Sequence, residues 1–174
     1  MITLHVFCSE PSCTDGNNPN AGLVQGSDGY FYGTTESGGN NTGTGTIFKA
    51  PPTLRSGPFV TLYSFCTQGL NCSDGRYPYG GLVLAVDGNF YGTTFYGGVN
   101  GGGSIFKITP NGILTTLYSF CPQTNCPTGG NPRTGLVQAS DGNFYGTTEL
   151  GGAFGWGVVF KITPAGRLDS CPQL

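Results

Sequence analysis

Histidine occurs once in the 174 residues, as His5, and methionine and tryptophan once each, as Met1 and Trp156. One imidazole leaves a Ser-His-Asp arrangement to be assembled around a single residue, and no Gly-x-Ser-x-Gly elbow is present to offer the serine. Charge is scarce as well, at 9% of residues. The seven Lys and Arg are spread along the chain and the formal net charge is −2, so there is no basic footprint and no nucleic-acid partner is expected. No apolar run approaches the length of a membrane-spanning helix. The residues after Met1 lack the basic and apolar regions of a signal peptide, so an export signal or anchor is expected outside this chain. The Gly-Gly pairs at Gly38, Gly97 and Gly151 lack the lysine and following helix of a phosphate loop. Neither a cofactor nor a metal is expected.

What is abundant is glycine, 32 residues of it, with aromatics at 13%. This is not low complexity, because the aromatics recur at fixed places. Phe-Tyr-Gly-Thr-Thr begins at Phe31, Phe90 and Phe144, 59 and then 54 residues apart. Thr61-Leu62-Tyr63-Ser64-Phe65-Cys66 returns at Thr116 to Cys121 and is heralded by Thr3-Leu4-His5-Val6-Phe7-Cys8. His5 therefore takes the place of Tyr63 and Tyr118 and is expected to replace a packed aromatic. Repetition at this period indicates a solenoid, a propeller or an array.

Each repeat carries four short β signals. In the second these are Gly81–Ala85, Asn89–Thr94, Ser104–Ile108 and Ile113–Phe120, with Asp87-Gly88 and Pro110-Asn111-Gly112 as hairpin turns. Four antiparallel strands form a propeller blade, and apolar side chains on both faces, as in Ile105-Phe106-Lys107-Ile108, suit a blade sandwiched between neighbours. The glycine inside each Tyr-Gly-Thr-Thr strand suggests close approach of another backbone or ring. The fold class is all-β, a β-propeller of four-stranded antiparallel blades, three per chain. Blade 1 covers about 22–66, blade 2 about 81–121 and blade 3 about 135–163, the last completed by strand 2–7 of the same or another chain. Three blades fall short of the usual four to eight, so a homodimer is expected to complete six; the alternative is a fragment of a longer propeller.

Cys8 and Cys13, Cys66 and Cys72, and Cys121 and Cys126 are close pairs, each beginning where the aromatic strand ends. Equivalent placement favours three local disulfides and an oxidising compartment over zinc, for which the pairs sit on separate repeats with only His5 to assist. Cys171 has no partner, which leaves an intermolecular bond or a free thiol.

The recurring order Gly-Leu-Val, Asp-Gly-Asn-Phe-Tyr-Gly-Thr-Thr, Gly-Gly and Ile-Phe-Lys-Ile-Thr-Pro, from Leu4 to about Leu168, resembles the bacterial "choice-of-anchor" tandem repeat family, the repeat of cyanobacterial and verrucomicrobial secreted proteins. The resemblance implies a secreted or cell-surface location and brings no catalytic residues. The hairpin is also similar to that of NHL-type propellers.

Strand parity puts the long loops after the second strand, Glu36 to Gly45, Phe95 to Gly103 and Glu149 to Gly157, on the same face as the cysteine loops, and this is the expected working face. Tyr96, Phe154 and Trp156, beside Asn40, Asn41 and Asn100, have the chemistry to bind sugar rings and hydroxyls; the alternative is that the rings cover gaps between blades. Glu36 and Glu149 end equivalent strands, with Phe95 between them in sequence, and are either a carboxylate pair for glycosidic chemistry or solvated strand ends. Asp28, Asp87 and Asp141 read as turn formers, and Asp15 and Asp74 as occasional calcium ligands at most. Lys49, Lys107 and Lys161 are expected to snorkel or to stack on a ring. The leading expectation is a secreted or surface module binding a glycan. The alternatives are a polysaccharide hydrolase or lyase using Glu36 and Glu149, and a structural repeat that polymerises by strand completion.

Overall fold

The computed structural model describes residues 2–40, 43–67 and 71–169. Three four-stranded antiparallel sheets follow one another along the chain. The first is β1 (Val24–Gln25), β2 (Phe31–Thr35), β3 (Thr46–Ala50) and β4 (Val60–Ser64). The second is β5 (Val83–Leu84), β6 (Phe90–Thr94), β7 (Ser104–Ile108) and β8 (Leu114–Ser119). The third is β9 (Val137–Gln138), β10 (Phe144–Thr147), β11 (Val159–Ile162) and β12 (Leu168–Asp169). No α-helix occurs among the described residues, and a single 3-10 turn spans Pro11–Cys13. The chain is therefore all-β, with three blades of the expected strand order.

Period-2 alternation sends each strand's side chains to opposite neighbours. Phe90, Phe106 and Ile108 of the second blade pack with Tyr32, Ile47 and Phe65 of the first. From the other face of the same strands, Tyr91 and Ile105 pack with Phe144, Phe160 and Ile162 of the third. The hydrophobic core thus lies in two sandwiches between blades. Hydroxyls repeat the pattern: Thr34 Oγ1 donates to Gly80 O at 3.1 Å and Thr93 Oγ1 to Thr134 O at 2.9 Å.

Gly33, Gly92 and Gly146 lie directly opposite Phe48, Phe106 and Phe160 in the ladders. A Cβ at these glycines would stand 2.6, 2.6 and 2.5 Å from the Phe Cζ atoms. The phenylalanine ring lies across its own glycine, which is why the strand carries one despite its entropic cost.

The turns repeat as faithfully. Asp28, Asp87 and Asp141 each accept the backbone N–H two residues on, closing an Asx turn, and each accepts a tyrosine hydroxyl, from Tyr32, Tyr91 and Tyr145, at 2.8 to 2.9 Å. Lys49, Lys107 and Lys161 pair with the same carboxylates. Lys49 also stands 4.2 Å above the Tyr30 ring, so the stacking expected of it occurs together with a salt bridge.

The third blade differs from one of the two expected arrangements. Its fourth strand is β12, with Ile162 opposite Leu168 and Lys161 opposite Asp169, and so this position beside β11 is not taken by residues 2–7 of the same chain. Those opening residues form no strand here. They lie against the first blade, where Phe7 meets Phe48 edge-on at 5.0 Å and His5 stacks on Phe59 at 3.6 Å. The physical reason is that Phe7 has an aromatic seat on blade 1, whereas Leu168 follows Ile162 after a five-residue connection and pairs with it at low loop-closure cost.

Candidate functional site

The face that parity singles out is held together by the cysteine loops. Three disulfides form, Cys8 with Cys13, Cys66 with Cys72 and Cys121 with Cys126. All six cysteines have positive φ, between 45° and 64°, a region that non-glycine residues seldom occupy. The second cysteine of each pair then fastens the neighbouring loop: Cys13 O accepts from Gly39 N, Cys72 O from Gly98 N and Cys126 O from Gly152 N. Isolated bridges join Asn17 to Ser37, Arg76 to Tyr96 and Gly130 to Leu150. In every blade the cysteine loop and the long loop form one unit.

Above this frame sits a row of side chains spanning the blades. Glu36, Phe95 and Glu149 donate their backbone N–H groups to Asn18, Tyr77 and Asn131, which fixes them in the same place on successive blades. Two residues beyond those partners come Asn20, Tyr79 and Arg133. Within each blade the two positions meet: Asn20 Nδ2 donates to Glu36 at 2.6 Å, Tyr79 packs edge-on against Phe95 at 5.2 Å, and Arg133 pairs with Glu149 at 3.7 Å. Between blades, the Arg133 guanidinium lies 5.4 Å from the Phe95 ring and 5.7 Å from that of Tyr79. Burial, and the Glu36 carboxylate beside it, push the Tyr79 phenol up, so it stays protonated as a donor. Glu36 and Glu149 are thus connected through Tyr79 and Arg133. Sequence reading passed over Asn20, Tyr79 and Arg133; the available signal was that the residue after the proline of the recurring x-Pro-x-x-Gly-Leu-Val frame differs in all three repeats.

The loop aromatics divide. Tyr96 is half-covered, resting on Phe95 at 4.5 Å with Arg76 5.5 Å from its ring. Phe154 and Trp156 are 89% and 90% exposed, so in this chain they cover no gap between blades. Trp156 is nonetheless held by its backbone, which bridges to Gly151. Asn100 Nδ2 donates to Ser119 O at 3.3 Å, Asn40 N donates to Ser64 Oγ at 3.2 Å, and Asn41 lies outside the described residues, as does Cys171.

Two equivalent clefts open beside the outer strands, the first between the opening segment and the first blade and the second between the first and second blades. The first, of about 550 Å³, is lined by His5, Asp15, Asn40, Phe59 and Tyr63; the second, of about 410 Å³, by Tyr63, Asp74, Val99, Leu117 and Tyr118. His5 Nε2 meets Asp15 at 3.0 Å, and Tyr63 hydroxyl donates to Asp74 at 2.8 Å. Tyr118 meets Thr128 at 3.0 Å in the same way. His5 does replace a packed aromatic, with Asp15 as its structural partner, as Asp74 is that of Tyr63. Burial pushes the Asp15 carboxyl up, but hydrogen bonds from Ser9 and His5 outweigh it and hold the group below its ordinary range. No cluster of three or more His, Cys, Asp or Glu side chains suited to a metal occurs among the described residues.

Among solved structures, virginiamycin B lyase from Staphylococcus aureus is similar at 20% identity, with a TM-score of 0.50 over 85% of this chain. The chain spans 39% of that protein's length, and the likeness is one of propeller-like fold. No curated protein matches. The cyanobacterial and verrucomicrobial character expected from the motifs is borne out, without the anchor designation: residues 1–171 match the Gloeobacter/Verrucomicrobia repeat, and the chain belongs to that family.

Proposed function

We propose that the chain is a secreted or cell-surface propeller module that binds a glycan on its loop face. The observation that carries this reading is the pair Phe154 and Trp156, both almost fully exposed on a glycine-framed loop of the blade that also presents Glu149 and Arg133. Exposed rings stack on the apolar faces of sugars, while carboxylate, guanidinium and amide groups pair with hydroxyls. Three disulfides support an oxidising compartment.

A glycan array on the wild-type chain, followed by titration of retained sugars with Trp156→Ala and Phe154→Ala, tests the proposal. The expected result is a loss of about tenfold or more, equivalent to about 1.4 kcal/mol, with particle mass unchanged. Unchanged affinity in both variants, or no sugar retained by the wild type, overturns it.

A second reading, a hydrolase or lyase acting on polysaccharide, draws support from the row that connects Glu36 to Glu149 through Tyr79 and Arg133. Two carboxyl groups in one row are the parts that glycosidic chemistry uses. On this reading Glu149→Gln abolishes turnover and leaves binding in place. The lyase activity named for the Staphylococcus aureus protein belongs to a chain that shares only the fold.

A further inference from the structure

The two blade junctions inside the chain define what a third would require. At each, a tyrosine of one blade stacks on a phenylalanine of the next: Tyr32 on Phe90, and Tyr91 on Phe144, both at 4.1 Å. At each, a threonine donates to the carbonyl before the next blade's Gly-Leu pair. At each, the third strand contributes a fully buried isoleucine, Ile47 or Ile105. The corresponding residues on the far face of the third blade are Tyr145, Thr147 and Val159. Val159 is 77% exposed where Ile47 and Ile105 are 0%. Thr147 turns instead to Thr134 of its own blade, 3.2 Å away.

The near face of the first blade presents the other half. Phe31, Ala21 and Leu23 stand where Phe90, Gly80 and Leu82 stand in the second blade, and where Phe144, Thr134 and Leu136 stand in the third. Leu23 is exposed while Leu136 is buried.

The outer strand divides in the same way. In the second blade β8 pairs along β7, with Ile108 opposite Leu114, Lys107 opposite Thr115, Phe106 opposite Thr116, Ile105 opposite Tyr118 and Ser104 opposite Ser119. In the third blade, among the described residues, β12 supplies the first two of these pairs, at Ile162 and Lys161. The remaining positions are those of Thr3, His5 and Val6. That opening segment already rests on the first blade as an outer strand of a preceding blade does. Phe7 meets Phe48 edge-on at 5.0 Å, as Phe65 meets Phe106 at 5.3 Å and Phe120 meets Phe160 at 5.2 Å.

We infer that the third blade docks on the first blade of a second copy of this chain, and that residues 3–6 of that copy continue β12 along β11. The predicted register sets Thr3 opposite Phe160, His5 opposite Val159 and Val6 opposite Val158. Tyr145 stacks on the partner copy's equivalent of Phe31, and Thr147 donates to the carbonyl at position 21. The reciprocal junction closes a six-bladed ring with two-fold symmetry. The occupant is a second copy because blade 1 repeats, position by position, the surfaces that blades 2 and 3 offer their own neighbours. Trp156, at the position of Thr44 and Gly102, borders this junction, since Thr44 Oγ1 donates to Phe65 O at the end of the outer strand.

The test is solution mass by light scattering at several concentrations, with an engineered cross-link. The intact chain is expected at about twice its 18.1 kDa mass. Val159→Asp is expected to give a folded monomer with the wild-type circular dichroism spectrum, whereas Val86→Asp, also exposed but away from the junction, stays dimeric. With Val6→Cys and Val158→Cys in one chain, oxidation is expected to give a covalent dimer. A monomeric wild-type chain, an intrachain cross-link or a ladder of higher polymers overturns the closed dimer. A Val159→Asp chain that stays dimeric overturns the assigned face.

Discussion

Tyr91 stacks on Phe144 with ring centroids 4.1 Å apart and 27° between the planes, the same separation and angle as Tyr32 on Phe90 one blade earlier. Phe144 is buried and fills the space between the second and third blades. Phe144→Ala is expected to lower stability by about 3–5 kcal/mol in urea unfolding. Tyr91→Phe keeps the stack and loses only the hydroxyl bond to Asp87, and is expected to lose about 1 kcal/mol.

Gly92→Ala places a methyl group against the Phe106 ring, whose Cζ would stand 2.6 Å from it. Overpacking of this kind is expected to cost about 1–3 kcal/mol. Phe106→Leu, destabilising alone, is expected to lose less in the Gly92→Ala background. Thermal unfolding of the four proteins measures this coupling, and strict additivity of the two losses contradicts the proposed contact.

Acid unfolding should follow the turn aspartates. Burial pushes Asp28 and Asp87 up, but hydrogen bonds from Lys49, Tyr32 and Tyr30 at the first, and from Asn89 and Tyr91 at the second, leave both lowered. At Asp141 the bonds from Asn143 and Tyr145 hold the carboxyl well below the usual range. A folded-state pKa below the unfolded one gives stability that is complete above the unfolded value, about 3.9, and drains away as pH falls through the folded value. The urea midpoint is therefore expected to hold from pH 7 to about 5 and to fall below about pH 4. In Asp87→Asn that fall should be shallower, because asparagine keeps the Asx turn without the titrating charge.

Reduction of the disulfides is expected to loosen the loop face before the blades. Each closes a loop of only five or six residues, worth about 2 kcal/mol in the chain-entropy model. Its second cysteine holds the long loop through one carbonyl. With dithiothreitol present, hydrogen exchange should quicken at Gly39, Gly98 and Gly152 while the far-UV spectrum stays unchanged. Protection that is unaltered at these three amides contradicts the role of the cysteine carbonyls.

Much of this was legible in the residues. Ser104–Ile108 forms a strand over the span read from its sequence, because a β-branched and aromatic run flanked by glycine and proline leaves little choice. The cysteine pairing followed from equivalent placement. The innermost strands were overestimated: Gly81–Ala85 yields only Val83–Leu84, since the glycine pair ahead of it serves a close approach to the next blade, where a Cβ on Gly80 would strike Gly135 N at 2.5 Å. Of the two places offered for residues 2–7, the one on the third blade of their own chain is not taken, because pairing preference alone does not weigh a nearby aromatic seat. Tyr79 and Arg133 were missed for a related reason. Their contacts, to Phe95 and to each other, cross between loops and between blades, and one sequence gives no distance between them.

The Phe-Tyr alternation on the second strand of each blade also dictates where the molecule first gives way. Because Phe faces backward and Tyr forward, each blade leans on its immediate neighbours alone, and cohesion passes down the row as pairwise terms. The second blade is gripped from both sides and the third from one. Isolated chains should therefore fray from the β12 end, with amides of β10 and β11 exchanging ahead of those of β6 and β7. A capped end would erase that gradient, so the exchange profile of a single blade reports whether its outer neighbour is present.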